Sequence, residues 1–257
     1  MTGTQELLDT FDIRGRTAIV TGGSQGIGRA IALGFASVGA NVVVASRKAD
    51  ACAATVAEIT DAGGSALAVP THVGEIDQLD ALVAATAECF GGIDIVVNNA
   101  ANPLALPIGS ITSEALAKSY EANLRGPLFL VQAALPYLRA SEHASVINVI
   151  TAGVYTTGAY VSMYVAAKSA LLSMTRSMAA ELAPSNIRVN AVAPGTVRTK
   201  MVTSTPEEFQ QLAVDSQLIK RMAEPEEMVP GALFLASDAS SFMTGQSVVI
   251  DGGMTVH

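Results

Sequence analysis

The chain has 257 residues, 50% hydrophobic and 15% charged, which excludes a disordered protein and supplies a large core. Fifteen basic against 23 acidic residues give a net charge of -8. That balance argues against nucleic acid or an anionic membrane as principal partner, because both reward clustered Lys and Arg.

From the N-terminus, residues 1–12 carry neither a basic segment nor an apolar h-region, so no signal peptide is expected. Residues 17–20 form a short apolar run read as a strand, followed by a glycine loop and helical spacing from Ile27 to Val38. A strand at 41–45, a helix at about 49–62, a strand near 66–69 and a helix at about 76–90 come next. Then follow a strand at 93–97, one long helix over about 113–137, a strand at 145–150, a helix over about 161–182 and a strand at 187–192. A helix near 226–236 and a strand at 247–250 close the chain. Short β-branched runs alternating with amphipathic helices predict an α/β fold. It is a single doubly wound, Rossmann-like parallel sheet of about seven strands flanked by helices, in one domain over 1–257. Residues 198–223 are Thr- and Met-rich, hold Pro206 and break the rhythm. A mobile lid over a site and an ordinary connecting helix both account for them. No apolar run approaches the ~18 residues of a membrane span. Cys52 and Cys89 lack metal-ligand spacing and read as unpaired, buried thiols suited to a reducing cytosol, so a cytoplasmic protein is expected. The charged fraction lies below the usual ~25%, which points to surface covered by other subunits.

Thr21-Gly22-Gly23-Ser24-Gln25-Gly26-Ile27-Gly28 joins the first strand to the first helix. Glycines at such a turn let the backbone approach a pyrophosphate seated at the positive end of the helix. A purely structural turn also uses glycine for positive φ. The second strand ends in Ala45-Ser46-Arg47-Lys48, with no acidic residue to accept from an adenosine ribose. Ser46 and Arg47 suit a 2′-phosphate, so NADP(H) is expected over NAD(H); a solvated basic turn is the plainer reading. Tyr164 and Lys168 stand at i and i+4 on one helix face. An ammonium there lowers the phenol pKa and equips it to pass a proton, although such a pair is also common on surfaces.

These pieces, with Asp94-Ile95-Val96-Val97-Asn98-Asn99-Ala100, Asn123, Asn190-Ala191-Val192-Ala193-Pro194-Gly195, Thr199 and terminal Asp251-Gly252-Gly253, resemble the short-chain dehydrogenase/reductase family over essentially the whole chain. The resemblance is to its NADPH-dependent carbonyl reductases in particular. It implies a Rossmann-like domain and reversible hydride transfer between a nicotinamide cofactor and an alcohol or carbonyl. It makes Tyr164 the general acid in reduction and the base in oxidation. Lys168 holds the nicotinamide ribose and depresses the tyrosine pKa, and Asn123 positions a water in a proton relay. It assigns Gly22, Ser24, Gln25, Gly26, Ile27 and Gly28 to the cofactor's phosphates. Asn99 goes near the adenosine ribose, and Pro194, Gly195, Val197 and Thr199 flank the nicotinamide.

Three positions depart from the family pattern. Thr151 stands where a substrate-orienting serine is usual; it keeps the hydroxyl and adds a methyl, and an inactive relic is the other reading. Ala101 replaces a glycine. His72 replaces an acidic residue, with its backbone and that of Val73 expected to line the adenine pocket. None of His72, His143 and His257 suggests a metal site, so no metal is expected. Pro103, Leu104, Thr151, Tyr155, Tyr160 and Met201 are pocket candidates, the two tyrosines equally readable as packing residues. Mostly apolar, they favour a ketone, aldehyde or secondary alcohol with an apolar body. Two alternatives remain. One is a 3-oxoacyl-[acyl-carrier-protein] reductase, disfavoured because residues 140–145 and 183–186 lack Lys and Arg, although Arg139 and Arg188 flank them. The other is a cofactor-binding protein without turnover. The resemblance further implies a homotetramer or dimer assembled through long helices, and a homotetramer is expected.

Overall fold

The computed structural model describes residues 3–255; His257 lies outside them. In chain order the elements are α1 (Thr4–Asp9), β1 (Thr17–Thr21), α2 (Gly26–Ser37), β2 (Asn41–Ser46), α3 (Ala49–Asp61), β3 (Ser65–Pro70), α4 (Ile76–Phe90), β4 (Ile95–Asn98), α5 (Ser113–Tyr120), α6 (Gly126–Ala140), β5 (Ser145–Val149), α7 (Ser162–Leu182), β6 (Arg188–Pro194), α8 (Lys200–Thr203), α9 (Glu207–Asp215), α10 (Val229–Ala236) and β7 (Ser247–Ile250). The seven strands form one sheet in the order β3-β2-β1-β4-β5-β6-β7. Every pairing is parallel.

Period-2 alternation splits the strand residues between two cores. Ala18, Val20, Val42, Val44, Ile95 and Val97 face α2 and α10 on one side. Ile19, Val43, Val96 and Val146 face α4 and α6 on the other. With both faces covered, the central strands are predominantly apolar, as in other parallel sheets buried on both sides. Strand order reverses direction between β1 and β4, and the crevice at their C-terminal ends is where doubly wound sheets bind ligands.

The sheet also carries a buried polar relay. Asn98 Nδ2 on β4 donates to Asn148 Oδ1 on β5 at 2.9 Å, and Asn148 Nδ2 donates to Thr175 Oγ1 on α7 at 2.8 Å. Thr175 Oγ1 in turn donates to the Leu171 carbonyl at 2.8 Å. All three side chains are buried.

Three sequence expectations are corrected. The long helix over 113–137 is broken: α5 ends at Tyr120, a π-helical turn occupies Glu121–Arg125, and α6 follows. Pro127 has no N–H to give the Asn123 carbonyl, so the α-helical ladder cannot run through this point. Likewise Pro230 cannot donate to Glu226, and the helix expected at 226–236 starts as a 3₁₀ turn, Pro225–Met228, before α10. Cys52 and Cys89 are both free, but Cys89 is exposed. The buried stripe of α4 is Leu79, Leu82, Val83 and Thr86, and position 89 falls off it. Residues 198–223, read as a lid or as a helical connection, contain two short helices, α8 and α9.

Candidate active site

The glycine loop is shaped by what stands over it. Gly22 has φ 65°, the left-handed region that favours glycine. A Cβ on Gly28 would run into both the Gly22 carbonyl and the Asn99 amide. The Asn99 side chain is thus wedged over the loop, its Nδ2 donating to the Thr21 carbonyl at 2.8 Å. Thr21 Oγ1 accepts from the Asn99 and Ala100 N–H groups at 3.0 and 3.1 Å. Asn99 therefore ties the β4 end to the loop. On the far side Gly26 faces Thr199, whose methyl lies 3.0 Å from where a Cβ would sit. Val197 is buried and bridged to Ala223. Gly195 N–H donates to Ile250, and its Cβ position is filled by Asp251.

At the end of β2, Ser24 and Ser46 hydroxyls meet at 2.6 Å, and Arg47 beside them is exposed. Nearby, the His72 N–H donates to Gln78 Oε1 at 2.7 Å, and the His72 imidazole accepts from Gly74 N–H at 3.1 Å. The Val73 carbonyl packs against Gly126.

Thr151 follows β5 and caps a 3₁₀ turn, Ala152–Tyr155, its Oγ1 accepting from Gly153 N–H at 3.2 Å. With an N–H bound on its acceptor side, the hydroxyl keeps its proton to give elsewhere. Two residues earlier the Val149 carbonyl accepts from Lys168 Nζ at 2.7 Å, so α7 brings its lysine to the same strand end. Lys168 is fully buried, and its Nζ lies 6.0 Å from the Tyr164 ring centroid. Burial pushes the Tyr164 phenol up to about 12 and the Lys168 ammonium down to about 7. The expected lowering of the tyrosine by the lysine is thus reversed. Desolvation of both groups outweighs an ammonium that approaches the ring rather than the hydroxyl. Part of Tyr164 remains accessible from the cleft, so solvent moderates its shift.

Asn123 lies in the π-turn, fully buried. Its Nδ2 donates to the Asn102 carbonyl at 2.8 Å and to Ser119 Oγ at 3.1 Å, and its Oδ1 accepts from Asn102 N–H at 3.2 Å. The amide is spent on holding the loop after β4.

Of the pocket candidates, Tyr155 packs with Ile150, Leu171 and Ala191, and its hydroxyl meets Ser247 at 2.5 Å. Leu104 is buried and Met201 is exposed. Tyr160 is exposed with φ 66° and touches Phe209 on α9. Sequence reasoning missed Phe209, because nothing local announces a contact made 49 positions away. It also missed Ser162 at the start of α7, whose Oγ is buried without a partner, alone in that among the described side chains.

The residues fit a dinucleotide on two counts. The N-terminus of α2 has no side-chain cap, which leaves its first N–H donors for phosphate oxygens, and the loop before it is glycine where a Cβ would intrude. No group of His, Cys, Asp and Glu capable of holding a metal occurs among the described residues. No described helix is long and apolar enough to cross a membrane.

The Rossmann-like sheet thus carries a glycine loop at the β1–α2 turn and, at the β5 end, a threonine hydroxyl beside a Tyr–Lys pair whose lysine is buried. The chain belongs to the short-chain dehydrogenase/reductase family. A family model described as enoyl-(acyl carrier protein) reductase matches residues 22–255. The chain is 38% identical to the short chain dehydrogenase/reductase astE of Aspergillus oryzae, over 100% of both chains. It is 36% identical to dehydrogenase/reductase SDR family member 4 of Homo sapiens, over 93% of this chain and 87% of that protein. A solved 7α-hydroxysteroid dehydrogenase, complexed with NADH and 7-oxo glycochenodeoxycholic acid, superposes with a TM-score of 0.92 at 32% identity, covering 96% of each chain.

Proposed function

We propose that the protein transfers a hydride between NADP(H) and an apolar ketone, aldehyde or secondary alcohol. The observation that carries the reading is Thr151, whose hydroxyl is oriented by the Gly153 N–H and retains its proton for a substrate oxygen. The dinucleotide, when bound, supplies or accepts the hydride. Reduction builds negative charge on the carbonyl oxygen, and a donor already aimed there lowers the barrier. The Thr151 hydroxyl donates to that oxygen. Tyr164, protonated through neutral pH because burial raises its pKa, gives it the proton. The charged form of Lys168, available below about pH 7, stabilises the tyrosinate left behind. Oxidation runs the same steps backwards.

NADP(H) is supported by the hydroxyl pair Ser24–Ser46 with exposed Arg47 at the β2 end, which offers donors and a cation and no carboxylate. The 7α-hydroxysteroid dehydrogenase, by contrast, was solved with NADH. An apolar substrate body is supported by residues 198–223, where Leu212, Leu218 and Ile219 are exposed. The family-model description favours a second reading, reduction of an acyl group on a carrier protein. Against it, Arg188 is not free to meet an acidic carrier. Its guanidinium donates to the Leu235 carbonyl, Ser240 Oγ and the Ser237 carbonyl at 2.9, 2.7 and 3.1 Å. The test is turnover of a panel of apolar ketones, aldehydes and a carrier-bound 3-oxoacyl thioester, each with NADPH and NADH. Turnover of ketones with NADPH supports the first reading. A rate confined to the thioester supports the second, and cofactor binding without any turnover supports neither.

A further inference from the structure

The loop that precedes the helix of Tyr164 and the segment 198–223 meet at an aromatic contact. Tyr160 lies in the loop between the 3₁₀ turn capped by Thr151 and the helix that carries Tyr164. Its left-handed φ of 66° is unfavourable for a bulky side chain, so its surroundings must hold it there. The ring it meets is Phe209 of α9, with centroids 6.3 Å apart and planes at 79°, an edge-to-face pair. Both residues are half exposed, 52% and 50%. α9 is otherwise loosely held: Val214 is its buried residue, Gln210 donates to the Thr203 and Thr205 carbonyls, and Gln211 donates to Asp215. Those bonds stay inside residues 198–223. The firm attachment is just beyond α9. There Gln217 Oε1 accepts from Thr196 N–H at 3.1 Å, its Nε2 donates to the Ile219 and Arg221 carbonyls, and Ile219 N–H donates to the Gly252 carbonyl. The segment is thus anchored by polar bonds at both ends, Arg198 N–H donating to the Ala223 carbonyl at the first, and it meets the loop before α7 through rings in between.

We propose that Tyr160 and Phe209 are the specificity-determining pair of this cleft. They form an aromatic clasp that parts to admit a substrate body and shuts over bodies small enough to lie beneath it. The proposal rests on the carbonyl-reducing reading above and adds the residues that select among carbonyls by size. An edge-to-face pair shifts an open–closed balance by about two- to tenfold.

Wild type, Phe209→Ala, Tyr160→Gly and the double variant are compared on one small and one bicyclic ketone. Each single change is expected to raise kcat/KM for the bicyclic ketone and lower it for the small one, each by about two- to tenfold. The double variant should resemble either single one, because the rings act together. Equal changes for both ketones, or additive effects, overturn the proposal. A second readout needs no turnover. The chain has no tryptophan, so Phe209→Trp places a lone emitter at the clasp. Its emission should change when Tyr160→Gly is added, and identical spectra in the two backgrounds overturn the clasp. If wild type reduces no carbonyl with either cofactor, the functional reading falls, and the tryptophan comparison still decides the clasp.

Discussion

Lys168 sits in the interior with its pKa moved from 10.5 to about 7 by burial. In the unfolded chain the group keeps its ordinary value. Between about pH 7 and 10 the unfolded state therefore holds a proton that the native state has released, and stability rises with pH through that window. Lys168→Met removes the titration. Linkage between the two pKa values makes wild type gain about 2–3 kcal/mol relative to the variant from pH 6 to pH 9. At pH 6 the variant should be the more stable protein, by up to about 5 kcal/mol less about 1 kcal/mol for the Val149 carbonyl left without its donor. Tyr164, raised to about 12, acts outside this range: it subtracts stability only above pH 10, where the unfolded phenol ionises first. The assay is urea unfolding of both proteins at pH 6 and pH 9, at one protein concentration, followed by circular dichroism. Profiles that stay parallel within about 0.5 kcal/mol would refute the claim that this lysine is neutral in the fold at high pH. Ketone reduction should be lost in the variant at either pH.

Thr151→Val should keep the shape, lower kcat by ~10²–10³-fold and leave cofactor affinity unchanged, while Thr151→Ser retains activity; near-native turnover of the valine variant in steady-state assays would reduce Thr151 to a packing residue. Arg47→Asp should weaken NADPH by about tenfold or more relative to NADH in a fluorescence titration, and unchanged discrimination would remove the 2′-phosphate assignment. Gly28→Ala should cost about 1–3 kcal/mol and displace the loop, because the new methyl meets Asn99 and the Gly22 carbonyl; unaltered melting and cofactor binding would contradict that geometry. The chain exposes 12066 Å², more than the roughly 10,600 Å² that size scaling gives a monomer, so sedimentation at micromolar concentration should show a multimer, and a lone monomer peak would count against assembly.

The fold was legible because apolar periodicity was clean. The spacing from Ile76 to Phe90 marks α4, and Ser247–Ile250 reads directly as β7. α1 escaped notice because it buries no residue and so carries no amphipathic signal. The π-turn escaped because residues 113–137 look helical throughout, and the effect of Pro127 is a missing hydrogen bond rather than a missing apolar residue. In the site, the i, i+4 pairing of Tyr164 and Lys168 was visible, but the sign of the tyrosine shift was not. That sign depends on how deeply α7 is buried, which is set by distant elements. Nor could the residue pattern reveal that the Asn123 amide is spent on Asn102, a backbone contact 21 positions away.

The relay from Asn98 through Asn148 to Thr175 bears on how this protein can change over time. Thr175 lies seven residues past Lys168, two helical turns along the same face. A lone apolar replacement at any of the three strands a buried amide or hydroxyl, at about 1–3 kcal/mol, so viable routes alter the members jointly. α7 therefore cannot roll or slide by small steps to suit a new ligand. Adaptation is channelled into the loop around Tyr160 and the segment carrying Phe209, where half-exposed rings can be exchanged one at a time. New substrates can thus be tried without retuning the proton chemistry.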